Sequence, residues 1–401
     1  MASVQKRGDK SWLLVVEAGM GSDGQRIKRT KTIKADGIRE ARKKLAEFET
    51  EVEAGEYIAP NKMTFAAFVE DWRIKYAEQA DGLSALTLKN YNSLLKNRII
   101  PVFGHLQIGE IKTMHIVNFI NDLKSPGSRK SGQGESISLG TVLYIYKVLK
   151  NVLSYAVKWQ LISKNPMDGV KKPKVEQEKM QYFDGDEAPL VIEALFKEPT
   201  IWRLFCLGSL LGGFRRGELL GLEWPYVNYE EHSISIQQSI SLTEDGEAIV
   251  KSPKTESSQR IVDMPEWYMR ELKDFHHQSK INRLKLGDAW QGGERSFVFQ
   301  SGYGKPYYYN TPSLWWRKFL RRHKLKPVRL HDLRHSAASL LIEDGVDLKT
   351  IQERLGHKKY QTTADIYAHI SKKVKKESAS KLDKFDPSKI IRQQTVNNGD
   401  Y

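Results

Sequence analysis

Between Phe65 and Trp159 the apolar residues recur at spacings of three and four, and no other feature restricts the fold of the chain as much. Phe65, Phe68, Val69 and Trp72 make one stripe, Leu88, Tyr91, Leu94 and Leu95 a second, and Ile116, Phe119, Ile120 and Leu123 a third. The run from Val142 to Trp159 makes a fourth, longer one. Each stripe is the buried face of a helix, and such faces are stable only against one another. Pro101, Pro126 and Pro166 sit in the breaks, while Thr87 and Thr141 stand near helix starts. Residues 64–171 are therefore expected to form an all-α domain.

The period differs on either side. Trp12 to Glu17 is a β-type run, Gly19 to Gly24 holds turn residues, and Arg26 to Ile33 alternates basic residues with Ile27, Thr30, Thr32 and Ile33, which predicts a hairpin with one charged strand. Ile38, Ala41, Leu45 and Phe48 then predict a helix, so residues 1–60 form a small α+β unit. From Lys6 to Lys44 there are 12 Lys/Arg against five acids. Lys28, Arg29, Lys31 and Lys34 make this strand either a solvated face or a patch that tracks phosphates. After a hydrophilic linker at Lys171 to Lys179 the pattern is mixed. Helices at Ala188 to Phe196, Ile201 to Leu211 and Arg216 to Leu222 precede strands at Ser233 to Leu242, Ala248 to Lys251 and Arg260 to Met264, and more helices follow. Residues 180–370 are expected to be a mainly-α domain with a small antiparallel sheet, and 371–401 a charged tail. The fold class is thus multidomain, in keeping with 401 residues.

A formal charge of +15 favours a polyanionic partner, with nucleic acid first. Cys206 is the only cysteine, which excludes an intrachain disulfide and any Cys-rich zinc site and fits a reducing cytoplasm. Met1 to Lys10 is polar and charged, and the apolar stretch Leu204 to Phe214 is too short and glycine-broken to span a bilayer, so no export or membrane signal is expected.

Three segments carry chemistry. In Gly213-Phe214-Arg215-Arg216-Gly217-Glu218-Leu219 a glycine-flanked Arg opens a helix, where it either offers a guanidinium fork to a phosphate or pairs with Glu218. In Ser252-Pro253-Lys254-Thr255, followed by Arg260-Ile261-Val262, a short polar turn between two strands would hold Lys254 on a hairpin. The third segment is the most specific: His331-Asp332-Leu333-Arg334-His335-Ser336, then Leu355-Gly356-His357, then Tyr367. His331 and Arg334 are three apart and on a helix would share one face. Gly345 and Gly356 mark helix ends that return His357 toward that face.

In order and separation these segments resemble the signature blocks of the tyrosine recombinase family: G-x-R-x-G-E-L, a Lys on a β-hairpin, and H-x-x-R with a later L-G-H and Tyr. The departures are Gly212 and Ser336, both where Thr is frequent. The resemblance implies Tyr367 as nucleophile, Arg215 and Arg334 as charge stabilisers of the phosphorane-like transition state, and Lys254 as general acid on the leaving 5′-oxygen. His331 would exchange the Tyr367 proton and His357 would hydrogen-bond the phosphate. Glu218 and Asp332 act through these groups rather than on the phosphate. The resemblance also implies an arm-site-binding domain in 1–60, carrying Lys28, Arg29, Lys31 and Lys34, a core-site-binding domain in 64–171, double-stranded attachment-site DNA as partner, and a homotetramer in the synaptic complex. Accessory bending or directionality proteins, a bacterial cytoplasm and the integration or excision of a mobile element follow from the same likeness, with no cofactor and no metal.

Three rivals share part of this pattern. His331-Asp332-Leu333-Arg334-His335 resembles H-E-x-x-H of zinc proteases but has Asp for Glu, with a cation beside the would-be metal. A type IB topoisomerase shares the chemistry, and a silent DNA-binding regulator would share the fold. The extra domains argue against the first of these two and the complete residue set against the second.

Overall fold

The computed structural model describes residues 2–20, 25–54, 57, 62–128, 136–175, 180–242, 248–251, 259–367 and 385–387. Lys254 and the tail segment Ser371 to Leu382 lie outside them. The chain divides into two compact units, residues 1–177 and 178–401.

The first unit opens with β1 (Ser3–Lys6), β2 (Ser11–Met20) and β3 (Arg26–Lys34) in an antiparallel sheet of that order, followed by α1 (Ile38–Glu53). The expected hairpin is there with one strand more, since Ser-Val-Gln-Lys has too little apolar alternation to announce β1. Trp12, Leu14 and Val16 pack with Ala41 and Phe48 of α1, which gives the sheet a covered face and an open one. Helices α2 (Phe65–Trp72), α3 (Ala85–Leu94), α4 (Ile100–Phe103), α5 (Thr113–Lys124) and α6 (Leu139–Lys158) follow. Their four predicted stripes form one apolar cluster around Phe65, Trp72, Phe103 and Leu149. The residues before α3 and α6 are Ser84 and Ser138, and the two threonines expected near helix starts follow them closely. Thr87 and Thr141 lie inside the first turns, bonded to those serine hydroxyls at 2.8 and 2.9 Å.

The second unit begins with α7 (Ala188–Phe196), α8 (Thr200–Gly212) and α9 (Arg216–Leu220). Five short strands follow: β4 (Val227–Asn228), β5 (Ser233–Ile236), β6 (Ser239–Leu242), β7 (Ala248–Lys251) and β8 (Arg260–Asp263). The single strand expected from Ser233 to Leu242 is broken at Gln237 and Gln238, because the Gln238 amide turns in to Gly221 O at 2.7 Å and Glu223 Oε1 at 2.6 Å. Pairing is nested: β6 pairs with β7, and outside them β5 pairs with β8. β7 and β8 thus pair with β6 and β5 rather than with each other.

The remaining helices are α10 (Glu266–Leu286), α11 (Thr311–Arg322), α12 (Leu333–Glu343) and α13 (Leu348–Leu355), and residues 360–367 are helical. The main core joins Phe205, Leu207 and Leu210 of α8 to Tyr268, Trp316, Phe319 and Leu333. Cys206 is buried there, and burial raises its thiol pKa well above the usual value. Ser336, at a departure from the family pattern, is fully buried; its hydroxyl accepts from Phe183 N at 2.9 Å and donates to Asp332 O at 3.1 Å, tying α12 to the first described segment of this unit. A second cluster joins Ala338 and Ile342 of α12 to Ile351 and Leu355 of α13 and to Ile366, and so seats the helix that bears Tyr367.

Candidate active site

Two glycines shape the backbone around the site. Gly213 ends α8 with φ +64°, and Gly356 ends α13 with φ +64°, a left-handed conformation that costs a residue with a Cβ of order 1 kcal/mol. Gly213 thus turns the chain so that Arg215 precedes α9, and Gly356 turns it so that His357 leaves the end of α13.

Arg215 is held from three sides. Its backbone N–H donates to Glu218 Oε2 at 2.9 Å, Nη1 donates to Glu218 Oε1 at 2.7 Å, and Nη2 donates to Gly356 O at 3.1 Å. The ion-pair reading of this block is seen, since the carboxylate caps α9 and pairs with the arginine, and about a third of the Arg215 side chain is exposed. Arg334 is only 2% exposed and donates from Nη1 to Gly213 O at 2.6 Å and from Nη2 to Leu355 O. Burial and the neighbouring Arg215 push its pKa down. A guanidinium nevertheless keeps its proton at any working pH. Burying a cation costs several kcal/mol, and two charge-assisted hydrogen bonds return about 1.5–3 kcal/mol each.

His331 is not on the α12 helix proper. It sits in the tight turn Leu330–Asp332 just before it, because Asp332 is drawn to Arg329 at 2.7 Å and α12 starts only at Leu333. Its ring lies at the open edge of the site, yet the surrounding protein and then Arg334 lower its pKa. It meets His335 edge to face at 5.7 Å. His357 Nδ1 lies 3.0 Å from Thr363 Oγ1, and burial, followed by the charges of Arg334 and Arg215, drives its pKa down to about 3. It is therefore a neutral imidazole at pH 7. Tyr367 lies on the same helix as Thr363 and is 38% exposed. Among the described residues its hydroxyl has no hydrogen-bond partner.

A cleft of about 790 Å³ opens beside Arg215 and His331, with Trp316 and Leu320 in its wall and Arg216 and Arg317 along it. Arg216 stacks on Tyr309 at 3.9 Å and donates to Ser313 Oγ at 2.7 Å. Among the described residues no group of three His, Cys, Asp or Glu side chains could hold a metal ion.

Arg215 thus joins Arg334 and His357 from more than 100 positions away, with His331 at the rim and Tyr367 on a helix anchored next to His357. The phage integrase family model matches residues 181–374, and the phage integrase N-terminal SAM-like domain model matches residues 64–124. The chain belongs to the phage integrase family. It is a tyrosine recombinase, and its activity is site-specific DNA recombination. The ICEBs1 integrase of Bacillus subtilis is 29% identical over 301 residues, covering 74% of this chain and 77% of that protein. A XerC-like tyrosine recombinase of Caldanaerobacter subterraneus is 27% identical over 395 residues, covering 94% of this chain and 97% of the relative. Among solved structures the fold is similar to the Tn1549 transposon integrase in complex with a circular intermediate DNA, with TM-score 0.62 at 17% identity over 80% of this chain and 99% of that one. It is also similar to a lambda integrase dimer bound to a core site, with TM-score 0.54 at 19% identity over 76% of this chain and 95% of that one.

Among the described residues, Arg260 is an inward cation of the recombinase that the motifs do not announce. Arg260 donates to Glu218 through Nη1 at 3.2 Å and Nη2 at 2.9 Å, and to Arg354 O through Nε at 2.7 Å. A signal for it exists in the strand: Val262 is buried and Ile261 is 68% exposed, so alternation turns Arg260 inward with Val262. Lys28, Arg29, Lys31 and Lys34 of β3 do not form one patch. Their alternate burial puts Lys28 and Lys34 on the open face, while Arg29 and Lys31 share the α1 side with Ile33. Lys31 is paired there with Glu51 at 2.8 Å and lies 5.3 Å over the ring of Phe48.

Proposed function

We propose that Tyr367 is the nucleophile of this recombinase, attacking a DNA phosphodiester to give a 3′-phosphotyrosyl link and a free 5′-hydroxyl. Arg215 and Arg334 neutralise the charge that builds on the non-bridging oxygens, and preorganised donors of this kind need no rearrangement as the transition state forms. His331, held neutral by its surroundings, takes the phenolic proton, and His357 donates to the phosphate. Lys254 delivers a proton to the leaving 5′-oxygen. A 5′-hydroxyl from a second strand then attacks the phosphotyrosine, releases Tyr367 and restores a phosphodiester, so bond energy is conserved without a cofactor. The observation that carries this reading is the convergence of Arg215 and Arg334 on the turn that leads into His357, at the end of a helix packed against the one bearing Tyr367.

Residues 64–171 bind the core of the attachment site and 1–60 bind arm sites through the open face of the sheet. Four protomers supply four nucleophiles to one synapse of two duplexes, and accessory proteins bend the DNA or set direction. The site of action is the nucleoid in a bacterial cytoplasm, and the reaction integrates or excises a mobile element. The relatives named integrase and the DNA complexes of similar fold support this reading.

The deciding experiment uses a nicked duplex that carries the attachment core, taken from the DNA flanking the gene. The wild type should form a chelator-resistant covalent adduct whose 3′-phosphate maps to Tyr367, and Tyr367→Phe should bind the duplex equally and form none. An adduct on any other residue, or in the Phe variant, overturns the assignment.

A further inference from the structure

Helix α13 ends in three consecutive backbone carbonyls, and a guanidinium from a different part of the chain takes each one. Arg260 donates to Arg354 O at 2.7 Å, Arg334 to Leu355 O, and Arg215 to Gly356 O at 3.1 Å. The negative end of a helix dipole favours cations at this position. Two of the three arginines belong to the site proposed above, and Arg260 does not. Its side chain is 6% exposed, and its Nε, Nη1 and Nη2 all donate to protein groups. Through Nη1 and Nη2 it grips the same carboxylate, Glu218, that holds the Arg215 guanidinium. One planar fork thus spans a carboxylate on one edge and a helix carbonyl on the other, which the single charge of a lysine cannot do.

We propose that Arg260 is a positioning residue for strand cleavage, holding Arg215, by way of Glu218, in register with the end of α13 from which His357 follows. The inference rests on the reading of Tyr367 and its partners above. Without Arg260 the buried Glu218 carboxylate is opposed at bonding distance by Arg215 alone, and the turn Arg354 to Gly356 loses one of its anchors. Arg215 and His357 then shift relative to each other, and a misplacement of about 1 Å is enough to cost roughly 100-fold in rate.

The test uses the full-length protein, the nicked attachment-core duplex and single-turnover adduct formation, with duplex affinity by gel shift and melting temperature measured in parallel. Arg260→Met should cleave roughly 100-fold more slowly with affinity within about twofold of wild type. Arg260→Lys should fall between the two. Arg260→Met combined with Glu218→Gln removes the leftover buried charge and should recover melting temperature without recovering rate; this pair and the Lys variant carry the test if Arg260→Met does not fold. Wild-type cleavage by a folded Arg260→Met, affinity falling in step with rate, or a double variant that regains rate together with stability would each overturn the inference. A wild-type adduct absent from Tyr367 would instead overturn the nucleophile assignment, and this inference with it.

Discussion

His357 Nδ1 and Thr363 Oγ1 stand 3.0 Å apart, and Thr363 is fully buried on the helix that four residues later carries Tyr367. One side chain thus fixes the imidazole and belongs to the element that presents the nucleophile. Thr363→Val keeps the shape but leaves a buried ring nitrogen without its partner, at a cost of about 1–3 kcal/mol in stability. Adduct formation should slow while DNA affinity holds, and Thr363→Ser should restore both. Unchanged melting temperature and cleavage in the Val variant would show that the contact carries neither.

Arg334 should tolerate no replacement. Arg334→Lys keeps a charge but cannot donate to Gly213 O and Leu355 O together while also meeting a phosphate. Its cleavage rate should drop by the equivalent of about 3 kcal/mol, the scale of one lost oxyanion donor. Single-turnover kinetics within a few-fold of wild type would contradict this.

Gly213→Ala should destabilise the second unit even though the change is one methyl group. A Cβ at this position, where φ is +64°, would run into Leu355 Cδ2, part of the packing between α12 and α13. Left-handed strain and overpacking each cost about 1–3 kcal/mol. Urea unfolding checks this directly, and a variant as stable as wild type would mean that Leu355 yields freely.

Stability should fall as pH drops below neutrality. Burial, with neighbouring cations, holds His357 down to about 3, His335 down to about 4 and His276 down to about 4, all below the usual 6.5. The unfolded chain therefore takes up protons near pH 6.5 that the fold refuses until pH 4 or 3, so unfolding gains protons in that window. His357 and His335 each contribute a loss of up to ~1.4 kcal/mol per pH unit there, levelling off below the folded pKa, and the more open His276 contributes less because solvent screens it. Glu218 acts in the same direction lower down: held at about 2, it contributes stability present above its usual 4.5 and lost as pH falls toward 2. Melting curves at constant ionic strength between pH 7.5 and 5 read the histidine part, and a flat melting temperature would refute it.

The two faces of β3 should separate binding from stability. Lys28→Glu and Lys34→Glu change the open face and should weaken arm-site binding and flatten its salt dependence, by about 0.9 in slope for each phosphate no longer neutralised. Lys31→Ala removes the Glu51 pair and the packing over Phe48, and should cost up to ~1 kcal/mol of stability while sparing binding. The reverse pattern would assign DNA to the covered face.

Much of this architecture was legible in the residues because apolar periodicity reports directly which faces are buried. The stripes from Phe65 to Trp159 all reappear in one core, and the blocks around Arg215, Arg334 and His357 meet as the family pattern implied. What escaped has physical causes. Ser233 to Leu242 reads as one strand, and only the turning in of the Gln238 amide, a tertiary interaction, breaks it. Alternation along β3 was visible, but which set of cations faced α1 depended on pairing Lys31 with Leu14, a register no local pattern specifies. Arg260 was hidden for the same reason, since its partners Glu218 and Arg354 are 42 and 94 positions away.

The burial of Cys206 has a practical consequence. Its thiol is 1% exposed and its pKa is raised, so it carries little thiolate and resists alkylation while the fold is intact. The native chain is thus silent toward maleimide reagents, and a single cysteine introduced on the open face of the N-terminal sheet would accept a fluorophore or a crosslinker at that position alone. Distances from that sheet to labelled DNA could then be measured during strand exchange without first stripping a native thiol from the core.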